Sequence, residues 1–274
     1  MNARSFIAQR RTNPMLRLIA TLCGKYLSAY DNQFNWDIGS NGERFILETV
    51  TQAAPGVVFD VGANTGAYTL MCARIASVTQ VHSFEISPPT FQELERTCGG
   101  LPKVRLNPFG LSDEENIVEI YHAVGSSDRT SLYAIDHGYK SELLKAEVRT
   151  GDSYLAMAEV DRVSFLKIDV EGADFATLRG FERAFRERRI LAAQFEHGEP
   201  SIESRTFLRD IVTFLARFDL TCFQLYPKHL EPVDPHGYKT EDFRGRNYIA
   251  LSPSLTQQLR NVISQTIPAK LYPI

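Results

Sequence analysis

From Gly56 onward, short runs of β-branched and aromatic residues alternate with stretches of helical periodicity, and few folds accept that rhythm. Val57-Val58-Phe59-Asp60-Val61 lies between Pro55-Gly56 and Gly62, the mark of a strand buried on both faces. Runs at 80–84, 104–106, 164–170, 190–195, 221–226 and 247–251 repeat the pattern. Helical stretches at 68–75, from Ser87-Pro88 onward, at 173–188 and at 207–218 separate them, except before the run at 164–170, where an extra strand pair intervenes, and before the last run. Strand–helix–strand units of this kind build a parallel sheet with right-handed crossovers and helices on both faces. The final two runs have no helix between them, so one is antiparallel. The expected fold is a three-layer α/β domain with a mostly parallel seven-stranded sheet. A further strand pair, 117–123 and 146–149, flanks the polar loop 125–130, which is expected to act as a lid.

Residues 14–50 read as extra N-terminal helices broken by the turn-rich stretch 31–42. The chain thus divides into a helical extension (1–45), a main domain (46–252) and a tail (253–274). Before Asp31 there is no acid, while Arg4, Arg10, Arg11, Arg17 and Lys25 supply five positive charges. An amphipathic leader packed on the domain is the preferred reading of this segment, ahead of a membrane-surface or partner-binding arm. Arg17 interrupts the apolar run 15–23, which tells against a signal peptide.

Charge and length narrow the function classes. Thirty basic against 33 acidic residues leave a net charge of −3, without the basic excess of a nucleic-acid binder. The longest stretches free of Asp, Glu, Lys and Arg are 13 residues, short of the ~18 that span a bilayer. Cys23, Cys72, Cys98 and Cys222 form no CxxC pair, so neither a disulfide framework nor a cysteine zinc site is expected. A cytoplasmic protein, with homo-oligomerisation left open, fits these features.

Ligands of an open α/β sheet bind at the carboxyl ends of the strands where the strand order reverses. The first strand ends in Asp60-Val-Gly62-Ala-Asn64-Thr-Gly66. Gly62 permits a tight turn and Gly66 a close helix, but the second glycine of a dinucleotide turn is replaced at Ala63-Asn64. That counts against a nicotinamide oxidoreductase. Asp60 would repel a phosphate and suit an ammonium, which points to S-adenosylmethionine. Glu85, 25 residues later at the end of the second strand, is placed for a ribose diol. Two more clusters, Lys167-Ile-Asp169-Val-Glu171-Gly172 and Glu196-His197-Gly198, end later strands. They would bring carboxylates and one imidazole beside the donor pocket.

These motifs, with Asn107 and Leu111-Ser112-Asp113, resemble those of the FkbM-type methyltransferases over roughly residues 45–250. The resemblance implies a class I, Rossmann-like methyltransferase fold and methyl transfer to a hydroxyl of a sugar, glycan or polyketide. It also places Asp60, Gly62, Asn64, Gly66, Glu85 and Ser112 around S-adenosylmethionine. Pro88-Pro89 and Gly110 depart from the family pattern. For catalysis His197 is the expected base, because its reference pKa lies near 6.5. Asp169 is the competing base or the residue that orients the acceptor, Lys167 would hold Asp169 ionised or contact an anionic substrate, and Glu171 belongs to the same cluster. Asp169, Glu171, Glu196 and His197 could also serve Mg²⁺ or Mn²⁺, but their spacing establishes no common centre, and no metal is assigned. Aromatic walls for a sugar are sought among Tyr121, Tyr133, Tyr139, Tyr226, His229 and Tyr238. A scaffold that keeps the fold without turnover is the competing function class.

Overall fold

The buried run 56–61 forms β1 (Gly56–Val61), the centre of the computed structural model, which describes residues 2–123, 125, 130–133, 140–234 and 241–264. The other strands are β2 (Val78–Phe84), β3 (Val104–Asn107), β4 (Gly110–Ser112), β5 (Asn116–Ala123), β6 (Ser141–Thr150), β7 (Val163–Ile168), β8 (Ala192–His197), β9 (Thr221–Leu225), β10 (Leu230–Pro232) and β11 (Arg246–Leu251). Helices α1 (Ala3–Gln9), α2 (Pro14–Tyr30) and α3 (Glu43–Ala53) precede them. Between the strands lie α4 (Ala67–Arg74), α5 (Pro88–Cys98), α6 (Gly151–Met157), α7 (Asp174–Arg179), α8 (Glu182–Arg186), α9 (Pro200–Glu203) and α10 (Leu208–Ala216). Helix α11 (Pro253–Gln258) follows β11.

The main sheet has the order β10-β9-β11-β8-β7-β1-β2-β3. Strands β7, β1, β2 and β3 pair in parallel, as do β7 and β8, whereas β11 is antiparallel to both β8 and β9. The seven expected strands are present. An eighth, the short hairpin strand β10, is added at the edge and runs antiparallel to β9. Alternation along β1 sends Phe59 and Val61 into a core shared with Tyr154, Phe181, Phe185 and α10. Val58 points the other way, onto Ile46, Leu47 and Val50 of α3. Helices therefore cover both faces.

The expected helix 173–188 is two short helices, because Gly180 runs against the backbone of β4. A Cβ at Gly180 would lie 2.0 Å from the Ser112 carbonyl oxygen. The second piece restarts on a cap from outside: the Asp152 carboxylate accepts the N–H groups of Arg183 and Ala184 at 2.8 Å each. The stretch expected as a tail packs on the domain as far as it is described. Leu255 and Leu259 of the expected tail are buried against α3, and Ser264 donates its N–H to the Leu230 carbonyl. By contrast, no residue of α1 or α2 is buried, so the leader does not pack on the domain as expected. No helix among the described residues is long and apolar enough to cross a membrane.

The strand pair 117–123 and 146–149 belongs to a second, three-stranded sheet of order β4-β6-β5. It roofs the carboxyl ends of β1 and β2 with Gly110, Leu111, Ile120 and Val148. Residues 126–129 of the expected lid, and Tyr139 and Tyr238, lie outside the described residues.

Candidate active site

A cavity of about 620 Å³ opens at the carboxyl ends of β1, β2, β7 and β8, within the range that takes a cofactor and part of a second ligand. It sits where the strand order reverses about β1. Gly62 has φ +82°, and a Cβ there would lie 1.8 Å from the Asp169 carbonyl oxygen. Glycine is thus demanded by the close approach of two strand ends rather than by a ligand. Gly62 and Ala63 both donate N–H to the Phe84 carbonyl, which fixes the turn against β2.

One end of the cavity suits an adenosine. Glu85 accepts the Asn64 N–H on Oε2 at 3.0 Å and the Ser87 N–H on Oε1 at 2.8 Å. These bonds fix the carboxyl plane and leave lone pairs for a diol. Burial pushes its pKa up to about 7, although the two N–H donors pull the other way. Asn64, held at φ +49°, lines the cavity with a buried Oδ1 that has no hydrogen-bond partner. Phe84, Ile86, Leu111, Ile120, Leu132 and Val148 supply apolar walls. An orphaned acceptor beside a carboxylate and an apolar slot fits the adenosine of S-adenosylmethionine.

The other end is a well of buried polar groups. Lys167 Nζ lies 3.1 Å from Asp169 Oδ2, 3.8 Å from Asp60 Oδ1 and 4.8 Å above the Tyr68 ring. Burial opposes its charge, but the carboxylates of Asp169, Asp60 and Glu43 outweigh it and hold the ammonium above the ordinary lysine range. Glu43, from the start of α3, accepts Gln194 Nε2 at 2.6 Å and Asn41 Nδ2 at 2.8 Å. Burial, and then the nearby carboxylates of Asp169, Glu171 and Asp174, push the Glu196 carboxyl well above its usual range. Ser131 donates to the Glu171 carbonyl at 2.8 Å and ties the small sheet to this rim. Phe34 and Trp36, in an edge-on pair at 6.2 Å, form the lip, and Trp36 leans on Gly245.

Of the residues singled out in the sequence, Gly62, Asn64, Glu85, Lys167, Asp169 and Glu171 line this cavity. Four do not. Asp60 is fully buried beneath it, accepting from Thr69 Oγ1 at 2.7 Å, so it supports Lys167 instead of meeting an ammonium. Gly66 faces Cys98 and Leu94 of α5, where a Cβ would come within 2.6 Å of Cys98 Sγ. Ser112 is turned to Asp113, and its neighbours Gly110 and Leu111 take the wall. His197 points to the opposite face of β8: Nε2–H donates to the Thr206 carbonyl at 3.2 Å, and the ring packs on Phe243 at 4.8 Å. Burial lowers its pKa. It is not placed as a base, nor with Asp169, Glu171 and Glu196 as a metal ligand.

The sequence reading missed Glu43, Asn41 and Asn247, and missed Trp36 in favour of Tyr121, Tyr133, Tyr226 and His229, none of which lines the cavity. A signal for Glu196 was present in strand alternation. Glu196 shares a face with Gln194, whereas His197 shares one with Phe195.

The sequence model of the Methyltransferase FkbM domain matches residues 60–220, more than half of the chain. The chain is 23% identical over 163 residues to the hexuronic acid methyltransferase AglP of Haloferax volcanii, covering 57% of this chain and 64% of that protein. It is 21% identical over 188 residues to the 2-O-methyltransferase NoeI of Sinorhizobium fredii, covering 64% and 76%. The match to AglP thus spans somewhat less than two thirds of that relative's length. Among solved structures, an FkbM methyltransferase of Methylobacillus flagellatus superposes with a TM-score of 0.45 at 14% identity, over 70% of this chain and 42% of that one. The family match runs from the carboxyl end of β1 through β2, β7 and β8, and the chain belongs to the FkbM methyltransferases, S-adenosylmethionine-dependent enzymes of the class I α/β fold.

Proposed function

We propose that this chain methylates a hydroxyl of a neutral, sugar-like acceptor, with Asp169 receiving the hydroxyl proton. The observation that carries the reading is the position of Asp169. Its carboxylate lines the same cavity as Glu85, follows directly on the Gly62 contact, and is 42% exposed, while its partner Lys167 is buried. When bound, S-adenosylmethionine supplies a methyl group on a cationic sulfur, already activated for displacement. The protein's contribution is then alignment, worth up to ~7–11 kcal/mol in well-oriented cases, together with an acceptor for the proton. Glu85 and Asn64 would hold the adenosine. Lys167 stays charged and fixes Asp169 toward the cavity.

The two named relatives act on a hexuronic acid and at a 2-O position, which supports a sugar hydroxyl as the acceptor. Charge in this cavity favours a neutral ring. Asp169, Glu171 and Glu199 face it with one ammonium among the described residues, Lys167, while burial shifts Glu43 and Glu196 toward their neutral forms. A uronate would be repelled there, whereas Asn41 and Asn247 offer hydrogen bonds to hydroxyls and Trp36 an apolar face.

Methyl transfer to neutral hexosides and to hexuronosides, with wild type and Asp169→Asn, tests this reading. Expected are faster turnover of the neutral acceptor and a loss of about 10²-fold or more in Asp169→Asn, at unchanged cofactor affinity. Preference for the uronoside would overturn the neutral acceptor, and full turnover in Asp169→Asn would overturn the role of Asp169.

A further inference from the structure

Helices α1 and α2 contribute no buried residue, yet they are not polar all round. In α2, Met15, Leu18, Ile19, Leu22 and Tyr26 recur at helical spacing and form one exposed stripe; Met15 is 72%, Leu22 57% and Tyr26 67% exposed. Arg17, Thr21, Gly24 and Ser28 occupy the opposite face, with Lys25 at the border. Phe6 and Ile7 extend the exposed apolar surface into α1. The same thirty residues hold five cations and no acid, in a chain whose net charge is −3.

We infer that α1 and α2 form an arm that lies on an anionic membrane surface, the apolar stripe in the lipid boundary and the cations at the headgroups. An apolar face beside concentrated positive charge is the combination that binds such an interface. A second copy of the arm is a poor occupant, since pairing two would bring five cations against five with no acid between them. Nucleic acid would use the cations but leave the stripe in water. No described helix is able to cross a bilayer, so the arm lies on the surface. Chain continuity adds a consequence: α2 ends at Tyr30, and Phe34 and Trp36 of the cavity lip follow at once. Membrane binding would hold the acceptor entrance close to the headgroups.

Flotation of the full chain with vesicles of phosphatidylcholine containing phosphatidylglycerol, and with pure phosphatidylcholine vesicles, tests the inference. Binding is expected to the anionic vesicles, weakening as salt is raised. Removing Arg10 and Arg11 together as Arg10→Gln/Arg11→Gln should lower the partition about fivefold per cation. Leu22→Glu should abolish it, with cofactor affinity unchanged in both variants as proof of an intact domain. Equal binding to neutral vesicles, or none to either, would overturn the inference. A wild-type dimer that Leu22→Glu converts to monomer would overturn it too, by assigning the stripe to self-association.

Discussion

Glu85 links cofactor binding to pH. Its carboxyl is buried, and the ordinary value of 4.5 rises to about 7 chiefly because burial disfavours the charge. At ~1.36 kcal/mol per pKa unit, that rise makes ionising Glu85 in the folded protein roughly 3 kcal/mol harder than in the unfolded chain. The sign for stability follows. A carboxyl raised on folding contributes stability that is fully present below 4.5 and is lost as pH rises through about 7. The sign for ligand binding is opposite, because a ribose diol donates two hydrogen bonds and only the carboxylate accepts them on both oxygens. Binding therefore requires the ionised form. The fraction ionised rises about tenfold between about pH 6 and pH 8 for a group titrating near 7, and affinity should rise with it.

Methylthioadenosine is the suitable probe, since it has the diol and adenine but no group titrating in this range. Calorimetry across that range should show its association constant rising about tenfold and levelling above the pKa. Glu85→Gln should bind more weakly by ~1–3 kcal/mol at the upper end and lose the slope. Asp174, also pushed up to about 7 by burial, lies behind Gly172 outside the main cavity. Any slope it causes would persist in Glu85→Gln. A flat wild-type profile, or one that the variant retains, would refute the assignment of Glu85 to the ribose.

Gly62→Ala should destabilise the domain by ~2 kcal/mol or more in urea unfolding, because the new Cβ meets the Asp169 carbonyl at 1.8 Å from a backbone at φ +82°; a cost below ~0.5 kcal/mol would show that the strands can part. Lys167→Met leaves Asp60 and Asp169 without their cation and should cost ~3–5 kcal/mol at neutral pH, shrinking in acid as the carboxyls protonate. Thermal melts over pH would expose a wrong sign. His197→Ala should lose ~1 kcal/mol of stability, from the bond to the Thr206 carbonyl and the packing on Phe243, and keep turnover within about threefold; a loss of about 10²-fold would return His197 to the chemistry.

The contrast between His197 and Asp169 shows where a sequence can be read and where it cannot. The sheet was legible because burial on both faces leaves a signature in each strand separately: β1, β2, β7 and β8 are short, mostly buried runs carrying β-branched, aromatic or small residues. The site was legible as far as the strand ends carried it. Lys167 and Asp169 alternate with Leu166 and Ile168, which the core claims, so their shared face is fixed once β7 is. The same rule applied to β8 sends Glu196 to the cavity, with Gln194 on the same face beneath it bonded to Glu43, and His197 away from it; the imidazole stands out by its chemistry, not by its place. The remaining wall has no local signature. Glu43 reaches Gln194 across 151 positions, and Trp36 meets Gly245 from the other end of the chain. Only Asn41 lies near Glu43 in sequence; the lysine and the glutamine that partly counter its desolvation, Lys167 and Gln194, come from β7 and β8. A buried charge becomes tolerable only when its partners arrive, and they arrive through the sheet order. That order, β8-β7-β1-β2 with α3 laid across it, converts scattered polar residues into one well around Lys167, and it is why the cofactor end could be read from motifs while the acceptor end required the fold.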